Sequence, residues 1–182
     1  KQAQRSPEYL TLNPNGRVPT LIEDGFVMYE AAAITMYIAE QHGEAGLAPP
    51  PATLSRARYY QWMAHLTNSV QEALNQWFHP DHFVSGTQTE SAFKKNAEKR
   101  LEKMWGNLDE ALSKSPYLLG DRFSACDAYL FFLTCWQTRL KKSMIRERLH
   151  LAKFFKTVKN RPSVERTLEA EGIASWYSID ND

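Results

Sequence analysis

The chain reads as an α/β segment followed by an all-α remainder, and three observations predict that order. Val18 to Met28 holds two short β-type runs around Asp24-Gly25, a turn pair that a tight hairpin needs. Pro49-Pro50-Pro51 then breaks the pattern. Beyond it strand signals vanish and apolar residues recur at helical spacing. The expected organisation is an α/β unit over residues 1–43, a linker over 44–52 and a helical unit over 53–182.

In the first unit Val18, Thr20 and Ile22 alternate with Pro19, Leu21 and Glu23, and Phe26, Val27 and Met28 begin the return strand. Pro19 cannot donate to a ladder, so this strand belongs at a sheet edge. An edge has free main-chain groups with which a peptide can pair. Ala31 to His42 is a small-residue helix with Gly43 at its expected stop. Its N-terminus offers main-chain N–H groups and partial positive charge, which suit a carboxylate.

In the second unit Ser55 to about Phe78 is predicted to be one long aromatic-rich helix. Phe93, Ala97, Leu101, Met104, Leu108 and Leu112 recur at steps of three and four, one face of a second helix. Ser124-Ala-Cys-Asp127 is a capping box with Asp in the N3 place, and Phe123 before it is a staple. Removing the Ser124 hydroxyl is expected to cost about 1 kcal/mol or more.

Composition is that of a globular protein: 182 residues, 43% hydrophobic, net charge +1. No apolar run approaches the length of a membrane span. Cys126 and Cys135 stand nine residues apart in one apolar helix, which fits no C-x-x-C pair. They read as buried free thiols in a reducing, cytoplasmic setting.

Asn13-Pro-Asn-Gly-Arg-Val-Pro-Thr-Leu21, then Tyr29-Glu-Ala-Ala-Ala-Ile34, resembles the glutathione-binding half of the bacterial, cytosolic-type glutathione S-transferases. Tyr117-Leu-Leu-Gly-Asp121, the capping box and Arg161-Pro-Ser-Val164 fit the family's helical half, so the resemblance spans about residues 8–173. It implies a thioredoxin-like glutathione-binding domain, incomplete at its start, followed by the transferase C-terminal helical bundle. It implies that Pro19 is cis and that Val18 offers its N–H and C=O to the cysteine of glutathione. Glu30 is implied to face the γ-glutamyl ammonium, and the Ala31 N–H its carboxylate. Arg17 is a further candidate for the anionic peptide. The customary serine is Ala31 here, which removes one hydroxyl hydrogen bond worth about 0.5–1.5 kcal/mol.

The reaction implied is conjugation of the glutathione thiolate to an apolar electrophile, a detoxifying transferase reaction, in a homodimer. A thiol near its ordinary value is mostly protonated at neutral pH and needs a nearby donor. In the family that donor lies on the first strand and helix. Lys1 to Leu12 resembles the second helix, so the activating residue is expected upstream of Lys1. Leu74-Asn-Gln-Trp-Phe-His-Pro80 matches a stretch that beta-class members use beside the thiol, with Asn75 and Gln76 in place of His and Lys. Asn75 is a candidate donor to the sulfur, and Trp77 and Phe78 are candidate walls of the electrophile pocket. Two other readings fit the same fold: a non-catalytic protein acting through protein contacts, and a glutathione-dependent reductase or dehalogenase.

His79-Pro-Asp-His82 is a weak metal signal, because Pro80 interrupts helical presentation and only one acid accompanies the histidines. No metal is expected. Arg139 to Arg161 holds nine basic residues and one acid, Glu147. In a nearly neutral chain this reads as solvated helix faces rather than a nucleic-acid surface.

Overall fold

The computed structural model describes residues 2–138 and 144–173. Ser6 starts α1 (Pro7–Leu12): its hydroxyl accepts the Tyr9 N–H at 3.2 Å, and Pro7 takes a position where no N–H is needed. After a loop come β1 (Thr20–Glu23) and β2 (Phe26–Tyr29), paired antiparallel from Thr20↔Tyr29 to Glu23↔Phe26. Asp24 and Gly25 have φ of 48° and 82°, the left-handed pair of a two-residue hairpin turn. The ladder begins at Thr20 rather than Val18, since Pro19 has no N–H to contribute.

Helix α2 (Ala31–Gln41) follows β2 directly. The left-handed residue after it is Gly46, at φ 66°, and not the expected Gly43, which joins a 3-10 turn, Gly43–Ala45. Arg56 locks this region to the helices beyond. Its guanidinium donates to the Pro49 carbonyl at 2.6 Å and to the Glu40 carboxylate, and lies 5.6 Å over the rings of Tyr59 and Tyr60.

The predicted helix from Ser55 to Phe78 is interrupted. It runs as α3 (Leu54–His65), a π-helical turn (Leu66–Gln71) and α4 (Glu72–Phe78). Thr53 caps α3, and the Thr67 hydroxyl donates to the Met63 carbonyl at 2.9 Å where the winding changes. A 3-10 turn (Pro80–His82) leads to α5 (Thr87–Leu112), which buries Ala97, Leu101, Met104, Leu108 and Leu112, as the periodicity predicts, with Trp105 beside them. Then come α6 (Ala125–Thr138), α7 (Leu149–Lys159) and α8 (Pro162–Ala170).

Helix α6 is the axis of the core. Cys126, Leu130 and Leu133 are fully buried among Tyr59, Leu66, Leu101 and Trp105. Each such leucine contributes about 1.5–3 kcal/mol. Its start is the predicted box with one inversion. Asp127 reaches back to the Ser124 N–H at 2.8 Å, but the Ser124 hydroxyl donates to the same carboxylate at 2.7 Å instead of accepting a main-chain N–H. The other Asp127 oxygen accepts the Leu118 N–H at 2.8 Å. Burial pushes this carboxyl above its ordinary range, against the three hydrogen bonds that favour its charge. The α6 main chain is also tied to the linker, through Ala125 N–H to the Leu47 carbonyl at 2.9 Å.

Candidate functional site

The hairpin register builds the first half of the site. Because Thr20 pairs with Tyr29, Val18-Pro19 and Glu30-Ala31 emerge side by side at one end of the ladder. The loop carrying Val18 is held from beneath. Asn13, 2% exposed, donates through Nδ2 to the Arg17 carbonyl at 2.8 Å and accepts the Asn15 N–H at 3.1 Å. The Tyr9 hydroxyl reaches the same carbonyl at 2.7 Å, and Thr20 Oγ1 at 2.7 Å. Gly16 sits at φ 58°, and a Cβ there would meet the Gln4 carbonyl at 3.3 Å. These ties account for the Asn-Pro-x-Gly spelling.

Above this base Val18 is 72% exposed, and among the described residues no hydrogen bond engages its N–H or C=O. The Val18–Pro19 peptide is cis, as the resemblance implies. Pro19 and the Arg17 side chain are exposed. Glu30, at φ 78° and ψ 105°, precedes α2 and makes no side-chain capping bond, so its carboxylate is left to solvent. Such a conformation in a residue with a side chain costs of order 1–3 kcal/mol and is kept where surroundings enforce it. Ala31 opens the helix beside it.

The second half lies on α4 and α6. Phe78 meets Trp77 edge-on at 5.1 Å and Trp136 edge-on at 6.2 Å; Trp136 continues to Phe132 at 5.1 Å, and Phe132 to Tyr129 at 6.2 Å. The Lys94 ammonium covers one face of Trp77 at 3.7 Å from the ring centre. Asn75, on α4, is half-buried. Gln76 turns away, accepting from Arg100 at 2.8 Å and donating to Glu72 at 3.2 Å. Tyr129 ties α6 to the π-helical turn. Its hydroxyl donates to Gln71 Oε1 at 2.5 Å, and burial, with the Glu30 charge second, pushes the phenol up to about 12. Sequence reading missed Tyr9, Gln71 and the α6 aromatics. The spacing of Tyr129, Phe132 and Trp136 along one helix face was the available signal for the latter.

Neither cysteine supports thiol chemistry. Cys126 and Cys135 are buried and joined in no disulfide, and burial pushes both up to about 12. Of the basic stretch, Arg139, Lys141 and Lys142 lie outside the described residues. Arg148 donates to the Glu102 carbonyl at 2.9 Å, and Arg161 lies 3.9 Å over the Phe123 ring, so both serve the fold. Among the described residues no helix is long and apolar enough to cross a membrane.

Residues 59–162 match the family model for the glutathione S-transferase C-terminal domain, and residues 1–40 that for the N-terminal domain. The chain is 30% identical to glutathione S-transferase GstA of Escherichia coli O157:H7, over 95% of this chain and 83% of that one. The solved beta-class glutathione S-transferase of Sphingomonas chungbukensis superposes with a TM-score of 0.82 at 31% identity, covering 95% of this chain and 85% of that one. A sphingomonad glutathione S-transferase solved with glutathione gives 0.82 at 29% identity, covering 96% and 85%. The chain therefore belongs to the glutathione S-transferase family. It is a transferase enzyme of the bacterial type, with glutathione as its co-substrate.

Proposed function

We propose that the end of the hairpin holds glutathione and that the aromatic row on α4 and α6 receives an apolar electrophile. The observation that carries this reading is the free main chain of Val18, set by the ladder register beside the head of α2. The cysteinyl residue of glutathione pairs with the Val18 N–H and C=O as an added strand would. The γ-glutamyl carboxylate meets the Ala31 N–H and the positive end of α2, and Glu30 takes the ammonium. Pro19 shapes the groove, and Arg17 attracts the anionic peptide. The glutathione thiol gives up its proton to solvent, and the thiolate sulfur then forms a C–S bond with the carbon of an electrophile held against Phe78, with Asn75 and Trp77 alongside. As it forms, that carbon's bond to its leaving group breaks and the electron pair departs with the leaving group. Phe132 and Trp136 extend that wall. The same reading takes the chain as an α/β unit over 1–43, a linker over 44–52 and a helical unit over 53–182, with the site between the two units.

The same reading includes a homodimer, a cytoplasmic location and a detoxifying role. Exposed Ile22 and Phe26 on the hairpin and Tyr60 on α3 favour association.

Calorimetric titration of the protein with glutathione tests the site. Saturable binding is expected, weakened roughly tenfold or more by Val18→Pro, which removes the N–H, and by Glu30→Ala. No saturable heat at millimolar glutathione would overturn the reading.

A further inference from the structure

We propose that His79, Asp81 and His82 form a binding site for a divalent first-row transition ion such as Zn²⁺. Their ligand atoms, one from each side chain, all lie within 4.8 Å of one another. The imidazole rings stack at 4.9 Å between centres with 12° between planes, and His82 Nε2 lies 3.8 Å from the Asp81 carboxylate.

The local backbone explains the cluster. Pro80 ends α4 and starts a 3-10 turn, and a 3-10 turn eclipses side chains at i and i+3. His79 and His82 have that spacing, so the proline that breaks α-helical presentation creates another. The turn is held by hydrogen bonds from His82 N–H to the His79 carbonyl at 3.1 Å and from Phe83 N–H to the Pro80 carbonyl at 3.0 Å. Phe83 stacks on Phe93 of α5 at 5.6 Å, which anchors its far side. The backbone is therefore organised before an ion arrives, and the three exposed side chains need only rotate inward.

Two imidazoles and one carboxylate suit zinc, nickel or copper and disfavour magnesium, which takes oxygen ligands. Three protein ligands leave coordination positions for water or another small donor. His79 adjoins Phe78, at 6.4 Å between ring centres, so the ion would sit at the outer rim of the aromatic row.

Titration of the full chain with zinc chloride, followed by calorimetry and by histidine ring signals in NMR, tests the site. One saturable equivalent is expected, with shifts confined to His79 and His82 and no response to magnesium. His79→Ala and His82→Ala should each weaken binding tenfold or more, and Asp81→Asn should weaken it less. Zinc should raise the melting temperature of the wild type but not of His82→Ala. His42→Ala is the control, because His42 also lies beside an acid, Glu44 at 3.5 Å, and should bind zinc as the wild type does. Zinc binding that survives in the His79→Ala/His82→Ala double variant, or no saturable heat, overturns the assignment.

Discussion

Replacing Glu30 by glycine should make the protein more stable and worse at binding glutathione. Glu30 is held at φ 78°, where a residue with a Cβ is disfavoured by about 1–2 kcal/mol. Glycine removes that cost but loses about 0.5–1 kcal/mol to the greater freedom of its unfolded chain. The net expectation is a gain of roughly 0.5–1 kcal/mol, equivalent to about 1–4 °C in melting temperature for a chain of this size. No hydrogen bond of the Glu30 side chain is lost in the free protein, since it makes none among the described residues. Binding moves the other way. A charge-assisted hydrogen bond to the glutathione ammonium is worth about 1.5–3 kcal/mol, so affinity should fall roughly tenfold to a hundredfold. Glu30→Ala separates the two effects: it keeps the disfavoured backbone and loses the carboxylate, so affinity falls without a gain in stability. Urea unfolding and calorimetric titration of the three proteins read both quantities. A glycine variant that is less stable than wild type, or that binds glutathione equally well, would refute the reasoning.

Other outcomes follow from the same interactions. Ser124→Ala removes a hydrogen bond to the buried Asp127 carboxylate and should cost about 1.5–3 kcal/mol by denaturant unfolding. Since the folded-state value of Asp127 is raised, the native state binds its proton more tightly than the unfolded chain does. The stability of the wild type relative to Asp127→Asn should therefore fall as pH rises from the ordinary carboxylate range through the folded value; a flat or rising difference would show that the hydrogen bonds outweigh burial. Asn13→Ala leaves the Asn15 N–H unpaired and strips one donor from the Arg17 carbonyl, which should cost about 2 kcal/mol and weaken glutathione binding. Wild-type affinity in that variant would mean that Tyr9 alone holds the loop. Arg56→Ala breaks the tie among α2, the linker and α3; because Glu40 is partly exposed, a loss of about 2 kcal/mol is expected by thermal unfolding rather than the full cost of a deeply buried pair.

Local chemistry was legible in the sequence and long-range chemistry was not. Asp24-Gly25, the Glu30 helix start, the Ser124 box and the buried face of α5 are each written within a few residues, because turns, caps and periodicity are local. The bond from Tyr129 to Gln71 joins residues 58 apart in the chain, and only the folded packing of α6 against the π-turn reveals it. The direction of the Ser124 hydroxyl was missed because the same letters allow it to accept from the main chain or donate to a carboxylate. Pro80 was read as disruptive, since the sequence shows the end of one helix more plainly than the tighter turn that follows. That Gln76 turns toward Arg100, on the next helix, could not be read from its place beside Asn75 in the sequence.

The π-turn has a consequence for how this helix tolerates change in length. A wider turn accommodates one more residue than α winding needs over the same rise, so the segment Leu66–Gln71 carries a spare position. Leu66 and Val70 are buried within it, and Asn68 between them is exposed. Deleting Asn68 would bring Leu66 and Val70 to a spacing of three, still one face of an α-helix, and let the turn relax without moving either flank. The same deletion within α3, between Met63 and the π-helical turn, would rotate one flank by about 100° and carry Tyr59 and Met63 away from the core. The helix thus contains one place where the reading register can slip by a residue and the architecture survives.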